Sequence, residues 1–338
     1  MNLQKNSTDL KKYEALVSAV NKASDIAIFT HVNMDGDAAG SAAALCLALR
    51  KLGKKATVIV EDALPAYLGF IEDPDHPIFV FDAENTDLSF AVDIGEKHRL
   101  ENRVDTFYKA NSFICIDHHN GTPDIADTYV SDASAAASAV LVCELIEALE
   151  ISLNRDLFDS RIAEALYVGI LTDTGCFKFS NADKKALETT AFLLDYGFDH
   201  AAVCSRIYDS FPLCQLKLEA LALQNAEIFA EGKAVVTAIL ISHLESCGAR
   251  HEHAETCIDA IRCIDGVEIA AVIKEKESGI FKLSLRSKNN ANVAVIAGEF
   301  GGGGHDKAAG ATFEGSLAEL YPKLKSAVID ELKRSGCL

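Results

Sequence analysis

The sequence predicts an α/β protein with an N-terminal parallel-sheet domain, a helical connecting stretch and a smaller mixed-sheet α/β domain. Three observations predict it. Short apolar, β-rich runs alternate with helical patterns early in the chain, the alternation gives way to a long helical region, and it resumes after Glu231. At 338 residues with 49% apolar content, the chain also exceeds the usual size of one domain and has enough apolar residues for two cores.

In chain order, strands are expected at Ile26 to His31, Thr57 to Val60, Pro77 to Phe81, Ser89 to Asp93 and Ser112 to His118. Helical patterns lie between them, as a parallel sheet requires for its crossovers. From Ser131 to about Leu194 the pattern is mostly helical, including Ala133 to Leu149 and Arg161 to Leu171. A Leu-rich stretch, Asp199 to Ile228, then reads as a connecting helix pair. AVVTAILI, VEIAAVIKE and IFKLSLRS are strands of the second domain, followed by the glycine run Gly301 to Gly304. The expected boundaries are a first domain at 1–195, a helical linker at 196–228 and a second domain at 229–338.

The polar N-terminus MNLQKNSTDL lacks the basic-then-apolar order of a signal segment, and no apolar run approaches the roughly 20 residues of a membrane helix. A soluble cytoplasmic protein is expected. The ten cysteines are scattered without a CxxC pair and read as reduced, mostly buried thiols. Cys257 and Cys263 share an amphipathic helical pattern rather than a zinc spacing. A net charge of −18 argues against coating long nucleic acid, which rests on many Lys/Arg–phosphate contacts. It leaves room for a short anionic substrate if metal ions supply the local positive charge.

Four segments carry chemistry. FTHVNMDGDAAGS sets His31, Asp35 and Asp37 after the first strand, with Gly36 and Gly40 allowing a tight turn into an Ala-rich helix. Carboxylates two residues apart in a loop reach different neighbours, so they suit two adjacent metal ions, with His31 completing one sphere. Taken alone, the same string is also what a helix cap and a solvated Asp look like. AVDIGEKHRL ends a strand with Asp93, followed at three-residue steps by Glu96 and Arg99.

FICIDHHNGT ends another strand with Asp117, His118 and His119. Neighbouring side chains of an extended segment face opposite ways, so one imidazole can bind metal while the other contacts phosphate, and Asp117 can orient a ligating ring. GILTDTGCFKFSN closes an apolar helix with Asp173. Asp35, Asp37, Asp93 and Asp173 would repel one another and any phosphate without metal, so the site is expected to need it.

With HVNMDGD, VDIGEKHR, DHH and LTDTG in order, then FKLSLRSK and GGGGHDKAAG, the chain resembles the DHH phosphoesterase family over nearly its whole length, in the form that pairs a Rossmann-like DHH domain with a DHH-associated C-terminal domain. The resemblance implies that His31, Asp35 and Asp93 hold one divalent ion and Asp37, Asp93, His118 and Asp173 a second, with Asp93 as the bridge. His119 would face the scissile phosphate, with Asp117 beside it. Manganese is the expected metal, with magnesium or cobalt as alternatives. An activated water would attack phosphorus in line while the metals stabilise charge on the phosphoryl oxygens.

The second domain would grip the substrate through Arg286, the backbone of Gly302, Gly303 and Gly304, and His305, with Arg99 contributing from the first. Glycines let N–H groups approach an anion without a Cβ in the way. Two departures stand out. The family's Ser/Thr pair before the long helix reads SDASAAASA here, which leaves Ser134 and Ser138 outside the expected site. Asp306 adds a negative charge beside the proposed grip.

The activity the resemblance implies is 3′-5′ exonucleolysis of very short RNA to nucleoside monophosphates, with dephosphorylation of 3′-phosphoadenosine 5′-phosphate as a second activity. Linear or cyclic dinucleotides are close variants as substrates. Inorganic pyrophosphate hydrolysis and non-enzymatic nucleotide sensing are the alternatives; the first lacks a GGGGH domain and the second would have lost ligands. A homodimer is suggested by the resemblance alone.

Overall fold

The computed structural model describes residues 9–73, 75–82 and 86–338; the first eight residues of the N-terminal segment read above for targeting lie outside them. The chain divides into two compact units between Ser210 and Phe211.

The first unit contains α1 (Glu14–Lys22), β1 (Asp25–Phe29), α2 (Gly36–Lys51), β2 (Lys55–Ile59), β3 (Phe79–Val80), β4 (Leu88–Val92), α3 (Val104–Phe107), β5 (Ser112–Asp117), β6 (Thr128–Ser131), α4 (Ser138–Leu153), α5 (Ser160–Asp173), α6 (Lys184–Leu194) and α7 (His200–Tyr208). Its six strands run β3-β2-β1-β4-β5-β6, every neighbouring pair parallel. The order reverses between β1 and β4, the crevice where open α/β sheets bind ligands.

Both faces of the sheet are covered. Ile26, Ile28, Phe90 and Ile116 pack under the helices, while Ala27, Phe29, Ala91 and Cys115 pack against Leu100 and Phe107 on the other side. This is why the strands read as continuous apolar runs rather than as alternation. The expected strand Pro77 to Phe81 shrinks to two residues at the sheet edge, with Phe81 69% exposed.

The helix expected from Ala133 begins at Ser138, because Asp132 folds the preceding residues into a turn by accepting from the Ser134 N–H and hydroxyl. Across the helical layer α2, α4 and α5 meet closely. A Cβ on Gly40 would stand 2.3 Å from the Ala165 carbonyl oxygen, and one on Gly169 would stand 2.6 Å from the Ala139 Cβ. Those crossings bring the N-termini of α2 and α4 beside the C-terminus of α5 at the sheet's carboxyl edge.

The second unit contains α8 (Leu213–Gln224), β7 (Glu227–Phe229), β8 (Ala234–Ile239), α9 (Ile241–Cys247), α10 (Cys257–Arg262), β9 (Ile269–Glu277), β10 (Ile280–Ser287), α11 (Val293–Glu299), β11 (Gly303–His305), β12 (Ala308–Glu314) and α12 (Leu317–Arg334). Its mixed sheet runs β11-β12-β10-β9-β8-β7, with only β8 and β9 parallel. One apolar cluster lies with α11 and α12 and another with α8, α9 and α10. The stretch 196–228, expected as a linker, is shared out: Val203 and Ile207 of α7 join the first unit's core, and Leu218 and Ala222 of α8 join the second's.

Candidate metal centre

The site sits at the carboxyl ends of β1, β4 and β5. Asp35 caps α2, its Oδ1 accepting from the N–H groups of Asp37 and Ala38 at 3.0 Å, and its Oδ2 faces His31. The capping reading of that string therefore holds for one oxygen and leaves the other available. Asp37, in the first turn of α2, is almost wholly buried. It accepts from the Ser138 N–H at 2.6 Å, the Ala139 N–H at 2.9 Å and the Ser41 hydroxyl at 2.9 Å. The start of α4 is thus built onto a carboxylate of α2, a favourable place for an anion.

Asp93 follows β4 in a left-handed conformation, φ 61°, uncommon outside glycine but tolerated best by Asp and Asn. Its two oxygens face two ways. Oδ2 lies 3.4 Å from His31 Nε2; Oδ1 lies 3.5 Å from His118 Nε2 and accepts from the Ser138 hydroxyl at 2.8 Å. His118 Nε2 is also 3.8 Å from Asp37 Oδ2 and 3.9 Å from Asp173 Oδ2. His31 and His118 donate through Nδ1 to the carbonyls of Val32 and Ala135, which turns the Nε2 lone pair of each toward the carboxylates.

These groups fit divalent ions. His31, Asp35 and Asp93 form one cluster and Asp37, His118 and Asp173 another, the donor atoms of each lying within 4.8 Å of one another. Nitrogen-to-oxygen spacings of 3.4 to 3.9 Å exceed a hydrogen bond. They approach the roughly 3.0–3.5 Å between two donors sharing one ion at about 2.1 Å.

Charge points the same way. Burial, then Asp93, Asp173 and Asp35, drives the Asp37 carboxyl well above the carboxylate range, and burial lifts Asp173 to about 6 although His118 pulls it down. Asp93 goes the other way: burial would raise it, but His31 against its Oδ2 and the charges of His118 and His119 hold it low. Burial opposes protonation of His31, and the carboxylates of Asp93 and Asp35 beside it override that effect. Carboxylates this crowded are ones that cations would relieve.

His118 and His119 do not point apart as an extended segment would place them. The strand ends at Asp117, and the two rings lie 4.8 Å apart, both toward the carboxylates. Asp117 serves His119: its Oδ1 accepts from His119 Nδ1 at 2.7 Å, and this bond raises the His119 pKa against the effect of burial. Gly95 makes room for it, since a Cβ there would stand 2.5 Å from Asp117 Oδ2. Arg99 Nη1 is 3.5 Å from His119 Nε2.

Two residues outside the expected set belong to the arrangement. Ser138 binds both Asp37 and Asp93, and its place beside the family's Ser/Thr pair was the one signal for it. Asn181 donates to Asp173 Oδ2 at 3.3 Å and to the Asp173 carbonyl at 3.1 Å, with no sequence signal that singles it out. Ser134 turns to Asp132 instead.

In the second unit, Arg286 and His305 both register with Ala308, on β10 and β11 flanking β12, so they share one face of the sheet. Arg286 donates to the Leu285 carbonyl, and residues 302–305 are exposed. The glycines have distinct causes. A Cβ on Gly302 would stand 2.1 Å from the Gly310 carbonyl oxygen, and one on Gly304 would stand 2.5 Å from that of Ala308, whereas Gly303 faces open space. Close approach of the chain to β12 therefore demands Gly302 and Gly304. Asp306 accepts from Asn292 Nδ2 at 2.6 Å, which turns its charge into the loop.

Residues 25–170 match the DHH family, N-terminal domain, and residues 232–334 match the DHHA1 domain. The chain belongs to the DHH family and is a hydrolase acting on phosphoester bonds. A relative from Thermus thermophilus, named a bifunctional oligoribonuclease and PAP phosphatase NrnA, is 34% identical over 96% of this chain and 95% of its own length. One of the same name from Bacillus subtilis is 26% identical over 88% and 92%. The fold is shared with an exopolyphosphatase-related protein from Bacteroides fragilis, with a TM-score of 0.88, 22% identity and 99% of both chains covered. A structure of exonuclease RecJ bound to manganese matches with a TM-score of 0.52 at 18% identity, covering 99% of this chain and 96% of that one.

Proposed function

We propose that this chain is a 3′-5′ exonuclease of short oligoribonucleotides, linear dinucleotides included, releasing nucleoside monophosphates with two divalent ions, manganese preferred. The observation that carries the reading is the sharing of Asp93 between two donor clusters, one centred on His31 and one on His118. His31, Asp35 and Asp93 hold one ion, and Asp37, Asp93, His118 and Asp173 the other. When bound, such a pair activates water and stabilises charge on the phosphoryl oxygens.

The chain's own groups do the rest. His119, held by Asp117 with its proton favoured, donates to the phosphate or the leaving oxygen, and Arg99 beside it offers a second donor. In the second unit, Arg286, the backbone of residues 302–304 and His305 are the groups suited to bind a substrate's anionic oxygens. A net charge of −18 favours short substrates over long ones, because few phosphates can be neutralised away from the site. Removal of the 3′-phosphate of 3′-phosphoadenosine 5′-phosphate is the same hydrolysis on a monoester, and the relatives' names favour it as a second activity.

No helix among the described residues is long and apolar enough to cross a membrane, and the cysteines are free thiols, which supports a reducing, cytoplasmic setting. A homodimer completes the proposal. The test is hydrolysis of 5′-labelled RNA from dinucleotides upward, with manganese, magnesium, cobalt or chelator. Metal-dependent release of monophosphates, fastest on the shortest chains, is expected. Metal binding without cleavage of any of these substrates would overturn the reading.

A further inference from the structure

Beside the metal centre lies a buried cation that neither the motifs nor the chemistry above uses. Arg103 is 6% exposed and ends a 3-10 segment, Lys97–Arg103, that lies against the second face of the sheet. Its Nη1 donates to the Ile59 carbonyl and its Nη2 to the Thr30 carbonyl, both at 2.9 Å. Those are the last residue of β2 and the residue just beyond β1, so one guanidinium ties two neighbouring strand ends. Thr30 immediately precedes His31. The third nitrogen, Nε, faces Glu61 Oε2 at 3.9 Å, and neither atom has a hydrogen-bond partner among the described residues. Glu61 Oε1 accepts from Asn102, which ties the same segment a second time.

The segment between these ties is strained. Glu101 sits at φ 46° and ψ −120°, a conformation a side chain rarely adopts and one that persists only where its surroundings hold it. Two residues before it is Arg99, whose Nη1 reaches His119. At its start, the Lys97 N–H donates to Asp124 at 2.8 Å. The segment is therefore fixed at both ends with Arg99 between them. An arginine used only to fill a core would be a poor choice, since burying its charge is costly and an apolar chain would pack as well. A group that satisfies carbonyls at two strand ends while fixing a strained loop has a reason to be arginine.

We infer that Arg103 is a positioning residue for the phosphoester chemistry, holding His31 through the Thr30 carbonyl and Arg99 through the 97–103 segment. This rests on the function proposed above only where turnover is read. Metal binding tests it separately.

The experiment compares Arg103→Lys and Arg103→Met with the wild type in two measurements. In the first, metal-stripped protein is titrated with Mn2+ by calorimetry. Arg103→Lys keeps the charge but cannot hold two carbonyls in one plane, and it should weaken Mn2+ binding by about ten- to a hundredfold, the usual loss when a partner behind a metal ligand is removed. In the second, kcat and KM are measured on an RNA dinucleotide with Arg99 present and in Arg99→Ala. The kcat loss from Arg103→Lys should shrink when Arg99 is already gone, since coupled residues are not additive. A merely structural arginine would lower the melting temperature, leave Mn2+ affinity within about twofold and reduce kcat by the same factor in both backgrounds; that result would overturn the inference. Should Arg103→Met fail to fold, the lysine variant decides on the same readouts. A wild type that binds Mn2+ but cleaves no short RNA would instead sink the proposed function, and the titration would still decide on Arg103.

Discussion

Asp37 and Asp93 in the first unit are each about 1% exposed and have hydrogen-bond partners on separate elements, whereas residues 302–305 in the second unit are all exposed, and 303–305 are ordered by backbone pairing to β12. The groups assigned to chemistry are thus fixed by side chains that converge from α2, α4, β4 and β5. The groups assigned to recognition stand on a sheet edge, free to meet a ligand. Catalytic geometry tolerates little displacement, while a grip on an anion can be adaptable. A mutation in the first unit should therefore change rate or stability steeply, and one in the second should change affinity moderately.

The largest effect should come from Asp93→Ala. The carboxylate whose oxygens face both clusters has no substitute within reach, so the loss in kcat should exceed the roughly hundredfold typical of removing a partner behind a ligand. Manganese titration of the variant should show both sites weakened or missing, since each loses a ligand. Unchanged turnover would end the assignment of Asp93 as the shared ligand.

Gly169→Ala should follow, as a test of how tightly the buried side is built. The added Cβ would stand 2.6 Å from the Ala139 Cβ and 2.8 Å from Asp37 Oδ1, where neither neighbour can swing away. Overpacking of this kind costs about 1–3 kcal/mol, read as a lower melting temperature together with weaker metal binding. The same change at Gly303, which faces open space, should leave the melting temperature nearly unmoved. Equal losses at both would break the contrast between the units.

Arg286→Ala should raise KM by about tenfold with kcat nearly kept, the pattern expected when binding is lost equally in ground and transition states. Steady-state kinetics on a dinucleotide and on a longer RNA checks it. A fall in kcat at constant KM would place Arg286 in the chemistry instead.

The sequence made the first unit more legible than its size would suggest. Strand-end Asp93, Asp117 and His118 were visible because a sheet buried on both faces reads as apolar runs that stop at polar residues. What stayed hidden depends on direction and on distance along the chain. The left-handed turn at Asp93 aims its two oxygens at different histidines, and no local pattern announces it. Ser138 meets Asp37 across 101 positions, so a helix start and a carboxylate looked unrelated. Alternation failed at the paired histidines because the strand had already ended, and Asp117 consequently serves His119. In the second unit the glycine run was legible as a special backbone. Which glycines it needs for packing and which it leaves open depended on the neighbouring strand.

The smallest expected effect concerns a buried carboxylate that organises the exposed side. Glu268 accepts from the N–H groups of Asn289, Asn290 and Ala291 and from Asn289 Nδ2, at 2.7 to 3.0 Å, in the loop that follows β10 and Arg286. Burial would raise its pKa, but these donors outweigh it and hold the carboxyl below its ordinary value of 4.5. A carboxyl held low in the folded protein contributes stability that is present above its unfolded pKa and is lost as pH falls through the folded one. Glu268→Gln keeps the shape and one acceptor but removes the charge, which should cost about 1 kcal/mol near neutral pH. Melting curves from about pH 7 to about pH 3 should therefore show the two proteins converging on the acid side. If the gap persists there, the loop is held by shape rather than by the charge of Glu268. In that case Arg286→Ala with Glu268→Gln should raise KM no further than Arg286→Ala alone.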